Sequence, residues 1–265
     1  MKQKSSRQLV TTSLLLVLAA LVSITAATAA WMTIADRTRV NTMRLDVTTG
    51  ANLRFDLDAH ESFDDYVKVL TFEDIAARIA QEQHFRPQDN PLTPVTTSDC
   101  VHFRLEDGTA AKKEYYLEFT LHFMATTDMV VHLTANGPEG TAITSDTPGV
   151  KEAMRLSFTA GIPAVYDPGM GGTSRAGYGG KVFGLTSSDQ YDDSSALFSL
   201  KEGVDMPVVV RVWLEGTDEA CTDTLRGANY SIRLRFVGTD ENGTVFADST
   251  RRTGGTSPKK ERNCV

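Results

Sequence analysis

Leu117-Glu118-Phe119-Thr120-Leu121-His122-Phe123 alternates apolar and polar residues without a break. A period of two sends every second side chain to the same side of an extended chain. The stretch is therefore a strand with one buried and one wet face. Three later stretches repeat the pattern. Met154, Leu156 and Phe158 alternate with Arg155, Ser157 and Thr159. Val208, Val210, Val212 and Leu214 alternate with Val209, Arg211, Trp213 and Glu215. Tyr230, Ile232, Leu234 and Phe236 alternate with Ser231, Arg233 and Arg235. A slip of one residue in any of them buries charge, so the facing of each strand is well determined.

Weaker strands are expected from Thr42 to Val47, Asn52 to Leu57, Val101 to Leu105, Met129 to Thr134 and Ala196 to Leu200, with Thr48-Thr49-Gly50-Ala51 supplying turn chemistry between the first two. One helix stands apart. Thr71 caps Phe72 to Gln83, Glu73 and Asp74 sit in its first turn against the dipole, and Pro87 follows its end. Phe72, Ile75, Ala76 and Ile79 make its apolar stripe. A second short helix is expected within Ser62 to Leu70, both packing across an edge or end of the sheets. Many strands with little helix predict a mainly β fold, an antiparallel β-sandwich of jelly-roll type. No linker divides the strands, so residues 31–249 read as one domain. Gly169 to Gly180 is a long Gly- and Ser-rich surface loop inside it. The tail from Thr250 to Val265 carries Arg251, Arg252, Lys259, Lys260 and Arg262 among small and polar residues and buries no core.

Residues 1–30 have a different character. Lys2, Lys4 and Arg7 precede the apolar run Leu14 to Ala30, which ends in small residues. A basic head, an apolar middle and Ala27-Thr28-Ala29 are the parts of a secretory signal, cut before Ala30, or before Trp31 if Thr28-Ala29-Ala30 is used. The run is also just long enough, at 17 residues, to remain as a membrane anchor, which takes roughly 17–25. Either fate places the protein at the cell surface or outside it. The whole chain carries a net charge of −7, and the body without its basic head is more acidic still. It repels nucleic acid and anionic membrane, leaving the N-terminal segment as the membrane contact. Cys100, Cys221 and Cys264 allow three single disulfides with one thiol left over, too few for a disulfide scaffold. Cys264, next to the last residue, could cross-link two copies, but an incidental tail cysteine is the favoured reading.

Chemistry-bearing motifs are sparse. A phosphate loop ending at Gly180-Lys181 needs glycine at Arg175 and Ser or Thr at Val182, so the glycine-rich stretch fails that pattern. There is no His-Glu-x-x-His and no Gly-x-Ser-x-Gly. His60, His84, His102, His122 and His132 are scattered. A hairpin turning at Thr126-Thr127-Asp128 would set His122 opposite His132, and Leu121 opposite Leu133, a two-imidazole metal pair without a third ligand. Asp56, Asp58, Glu61, Asp64 and Asp65 are crowded but do not follow calcium-loop spacing. Gly-Thr-Asp-Glu occurs at 216–219 and 238–241, after two strong strands. If those strands pair antiparallel, the copies lie at opposite ends of the sheet and share no ion. Asp218, Glu219 and Asp223 could form a separate site, but turn chemistry explains both copies. Asn229-Tyr230-Ser231 and Asn242-Gly243-Thr244 match the glycosylation sequon, a short pattern that by itself assigns no function. No catalytic, cofactor or metal residue is assigned, and the protein is not expected to be an enzyme.

Two segments carry a family resemblance. Ala29-Ala30-Trp31-Met32-Thr33, a polar gap and Met43-Arg44-Leu45-Asp46-Val47 together resemble the N-terminus of the TasA/camelysin group. Those are exported Gram-positive proteins whose leader is removed by a dedicated signal peptidase. Val212-Trp213-Leu214-Glu215-Gly216-Thr217-Asp218, followed by Cys221, is similar to a segment of secreted relatives of that group. The resemblance implies a jelly-roll subunit of extracellular fibres or biofilm matrix, in which an N-terminal strand completes the sheet of the next subunit. On this chain the donor is Asp36 to Val47, pairing at an open sheet edge. Two departures stand out. The aromatic-x-Asp start is replaced by Trp31-Met32-Thr33, and the insert from Ser62 to Gln83 stands in the way of assembly. Camelysin-type members are described as metalloproteases, but no zinc motif is present to carry that over. The expectation is a structural surface or matrix protein that self-associates. The alternatives are a module for cell-wall or glycan polymers using exposed Tyr178, Tyr191 or Trp213, and, behind it, a metal-dependent hydrolase.

Overall fold

All four strongly alternating stretches form strands, and with the weaker ones they make the fold mainly β, 43% strand and 14% helix, with three sheets and two helices among the described residues. The computed structural model describes residue 17 and residues 39–47, 52–137, 140–168, 178–185, 190–225 and 227–246, with backbone pairing alone along 39–47. The leader, the turn at 48–51, the loop at 169–177, Cys264 and the basic tail lie outside the described residues. In chain order the strands are β1 (Arg39–Val47), β2 (Leu53–Asp56), β3 (Val69–Thr71), β4 (Thr96–Thr97), β5 (Phe103–Arg104), β6 (Leu117–Ala125), β7 (Met129–Leu133), β8 (Ala142–Ser145), β9 (Met154–Ala160), β10 (Ile162–Tyr166), β11 (Lys181–Phe183), β12 (Ala196–Leu200), β13 (Met206–Leu214) and β14 (Asn229–Thr239). The helices are α1 (Phe72–Gln83) and the four-residue α2 (Val150–Ala153).

The first sheet runs β12-β7-β14-β1-β3, with β8 also on β14; the second runs β11-β10-β9-β13-β6-β2; β4 and β5 make a small ribbon. Their inner faces meet at aromatic side chains. Phe236 of the first sheet lies 5.1 Å from Phe123, 5.8 Å from Phe158 and 6.0 Å from Phe55 of the second, centroid to centroid. One continuous apolar core surrounds that contact and takes in the stripe of α1.

One expectation about pairing is corrected, and two pairings considered only conditionally do not occur. The sheets are not wholly antiparallel: β1 runs parallel to β14, and β10 parallel to β11. Parallel neighbours cannot be joined by a tight turn, so no local pattern announces them. Next, Thr126-Thr127-Asp128 is a corner between sheets and not a hairpin. Leu121 pairs with Val208, and Leu133 with Phe236. The cause is visible at the end of β6, where Phe123, Met124 and Ala125 are all buried and the alternation stops. The Asp128 carboxylate accepts the Glu202 N–H and pairs with Lys201, holding the corner against the β12–β13 connection. Finally, β13 and β14 are not partners; they lie in different sheets.

Helix α1 forms as expected, with Phe72, Ile75, Ala76 and Ile79 buried and Thr71 in a reciprocal capping box with Asp74. The expected helix from Ser62 to Leu70 does not form. Ser62 caps only a 3-10 turn at Phe63–Asp65. The chain then extends, because Val67 pairs with Phe55 and Val69–Thr71 with β1.

The wet faces expected on β9 and β13 are covered. Arg155, Ser157 and Trp213 are fully buried, and Arg211 nearly so. Residues 93–116, with the ribbon, and the segment at 178–182 lie over the second sheet and close a small second core of Val95, Cys100, Phe103, Tyr116, Val165, Tyr178, Val182 and Trp213. Gly180 passes so close to β10 that a Cβ there would lie 1.9 Å from the Pro163 carbonyl oxygen.

Phe236 touches three rings of the opposite sheet, so Phe236→Ala leaves a cavity where the sheets meet. The expected loss is about 3–5 kcal/mol, measured by urea unfolding; a loss below about 1 kcal/mol contradicts this account of the core.

Candidate strand-exchange site

The N-terminal strand lies inside a sheet. β14 is paired along one edge by β8 near its start and β7 near its end, and along the other by β1. The β1 ladder runs from Arg39 opposite Asn229 to Val47 opposite Phe236. Val40 and Met43 are three residues apart, which breaks the alternation that Met43, Leu45 and Val47 keep. A bulge between Val40 and Thr42 absorbs the extra residue. Val40, Met43, Leu45 and Val47 thereby come to register with Tyr230, Ile232, Leu234 and Phe236, all buried in the core. On its far edge β1 pairs antiparallel with β3, Arg44 to Asp46 against Thr71 to Val69. The open edge expected for strand addition is thus filled by the chain's own β1.

Charged groups gather under the cover of the second sheet. The buried Arg155 guanidinium lies 3.2 Å from the Asp167 carboxylate through Nε and 2.5 Å from Asp218 through Nη2, and donates to the Met154 carbonyl at 3.0 Å. The buried Glu215 carboxylate accepts from Tyr178 Oη at 3.2 Å, Trp213 Nε1 at 3.1 Å and Thr217 Oγ1 at 2.7 Å. These bonds pin the cover to the sheet. Nothing in the sequence marked them, because Arg155 and Glu215 stand on faces that the alternation assigns to solvent.

The sequence-derived candidates are dispersed. His122 and His132 sit in different sheets, so they form no metal pair. His122 Nδ1 lies 2.9 Å from Asp205. His132 is buried between Ser195 Oγ at 3.0 Å and Thr239 Oγ1 at 3.2 Å, and burial pushes its pKa down to about 4. His102 pairs with Asp99 at the surface, and His84 ends α1 in the left-handed region. Of the acidic cluster, Asp56 faces His60, Asp58 pairs with Arg78 and Asp64 with Arg54, while Glu61 and Asp65 are exposed. Asp218 is engaged by Arg155, Glu219 and Asp223 are exposed, and Asp240 accepts the Asn242 and Thr244 N–H groups in a turn. No three His, Cys, Asp or Glu groups converge to hold a metal among the described residues. Tyr178, Tyr191 and Trp213, expected as exposed sugar platforms, are buried, which corrects that expectation. Cys100 and Cys221 are free thiols, raised by burial to about 12 and about 11.

No family model, curated protein or solved structure matches this chain. No helix among the described residues is long and apolar enough to cross a membrane.

Two measurements check the site. Arg155→Met removes the cation shared by two enclosed carboxylates; the expected cost is about 3–5 kcal/mol, read by denaturant unfolding, and an unchanged midpoint rejects the assignment. His132 titrates near 6.5 unfolded but near 4 folded, so unfolding takes up a proton between those values. Its stabilisation is complete above pH 6.5 and declines as the pH falls to 4, with a slope of up to about 1.4 kcal/mol per pH unit. In unfolding curves collected from pH 7 to 4.5, His132→Gln should flatten that decline; an unaltered slope would assign it to other groups.

Proposed function

We propose that this chain is an exported cell-surface or extracellular-matrix structural protein of the TasA/camelysin kind, a two-sheet sandwich of jelly-roll type that joins to further copies by exchanging its N-terminal strand. The observation that carries the proposal is the position of β1. β1, the first strand of the described fold, lies between two strands and completes β14 along eight residue pairs. Such a strand can leave and be replaced by the same strand of another copy without new contacts having to be invented.

β1 continues into its own fold beyond Val47, at the Phe236 end of the slot. When it fills the β14 edge of a copy other than the one that fills its own, the contact is head-to-tail, which extends instead of closing. Export by the N-terminal segment puts the process outside the cell, and a retained leader would tether it to the membrane. The work of the protein in this account is assembly and not catalysis.

The test uses protein beginning at Trp31, examined for filaments by electron microscopy and for mass by light scattering. Filaments are expected from the intact mature chain and none after deletion of residues 36–47. Filaments that persist after the deletion overturn the proposal.

A further inference from the structure

We infer that residues 57–71 are a clasp that keeps β1 in its own chain, and that opening it frees the β14 edge for β1 of a second copy; the inference rests on the strand exchange proposed above.

The segment joins the edges of both sheets. At Val67 it belongs to the second sheet, where Val67 and Phe55 exchange both N–H···O bonds at 3.0 Å. Two residues later it belongs to the first sheet, where Val69–Thr71 pairs with Asp46, Leu45 and Arg44. β1 is therefore bounded by β14 on one side and by the clasp on the other. It cannot move out sideways while β3 is in place. Helix α1 follows at once and lies against β1, β3 and β6.

The fastenings of the clasp differ in kind from those of the core. Arg54 Nη1 donates to the Phe63 and Asp64 carbonyls at 3.2 Å each, and its guanidinium lies 4.5 Å from the Phe63 ring centroid. Tyr66 Oη donates to Asp205 at 2.7 Å, and the second oxygen of Asp205 holds His122. Arg78 reaches back from α1 to Asp58 at 2.5 Å and to the Leu57 carbonyl at 3.0 Å. Between residues 58 and 71 only Tyr66 and Leu70 are buried, while Val67 and Val69 are 37% and 47% exposed. With Leu57 the segment has three buried anchors, and otherwise peripheral polar bonds, so it opens at less cost than the core strands it touches. β14, by contrast, carries buried apolar residues along its length and stays as the receiving edge.

The test opens and locks the clasp in the full mature chain. Tyr66→Phe with Arg78→Gln removes two fastenings and leaves the core untouched. Asp46→Cys with Val69→Cys, in a Cys264→Ser background, places thiols on a register pair of β1 and β3 close enough for a disulfide. We expect the loosened variant to assemble at least tenfold faster than the parent. The oxidised locked variant should remain monomeric and assemble once reduced, which also shows that it is folded. A locked variant that assembles as fast when oxidised as when reduced, or a loosened variant with native circular dichroism and parental kinetics, overturns the clasp. If deletion of residues 36–47 leaves assembly intact, strand exchange itself fails, a separate outcome.

Discussion

β14 runs for eleven residues through the fold, and its main-chain groups need partners on both edges. One edge is divided between β8 and β7, short strands that meet it end to end. The other edge needs a long continuous strand, and it receives β1, nearly two hundred residues earlier in the chain. The buried row Tyr230, Ile232, Leu234 and Phe236 depends on that closure, because those side chains extend from a backbone that must stay in the sheet. Phe236 in turn is the ring at which the second sheet is met. The first sheet is thus completed by a strand that comes from the opposite end of the described chain.

The second sheet solves a different problem. Its outer face carries Arg155, Ser157, Arg211 and Trp213, residues that would suit water, yet residues 93–116 and 178–182 enclose them. An enclosed guanidinium is tolerable only when paired, and Asp167 and Asp218 supply the charge. Trp213 and Tyr178 spend their polar atoms on Glu215. The result is a small polar centre whose work is to attach a layer, and it explains why aromatic residues that look like a sugar platform are not available as one.

Local structure was largely legible. Helix α1 has the expected bounds, cap and stripe, since each is set within a few residues of chain: Thr71 against Asp74, and Phe72, Ile75, Ala76 and Ile79 on one side of a 3.6-residue period. The strong strands β6, β9, β13 and β14 were equally plain from alternation. Strands that do not alternate were missed. Ile162–Tyr166 contains a proline and is buried on both faces after its first residue, and Ala142–Ser145 and Lys181–Phe183 are too short for a pattern to repeat. The stretch from Ser62 to Leu70 has a real cap at Ser62, but it makes no longer helix because Val67 and Val69 find strand partners elsewhere in the chain.

The sequence by itself determined that the chain is built largely of strands, which side of β6 and β14 faces inward, and where helix α1 begins and ends. These follow from periodicity and capping, which act over a few residues. Only the tertiary structure decided that β1 lies parallel to β14, that the corner after β6 changes sheets, and that Trp213 and Arg155 are enclosed. Each of those depends on which distant segment satisfies an edge or covers a face, and period-two alternation is the same whether its polar side meets water or another layer of the protein.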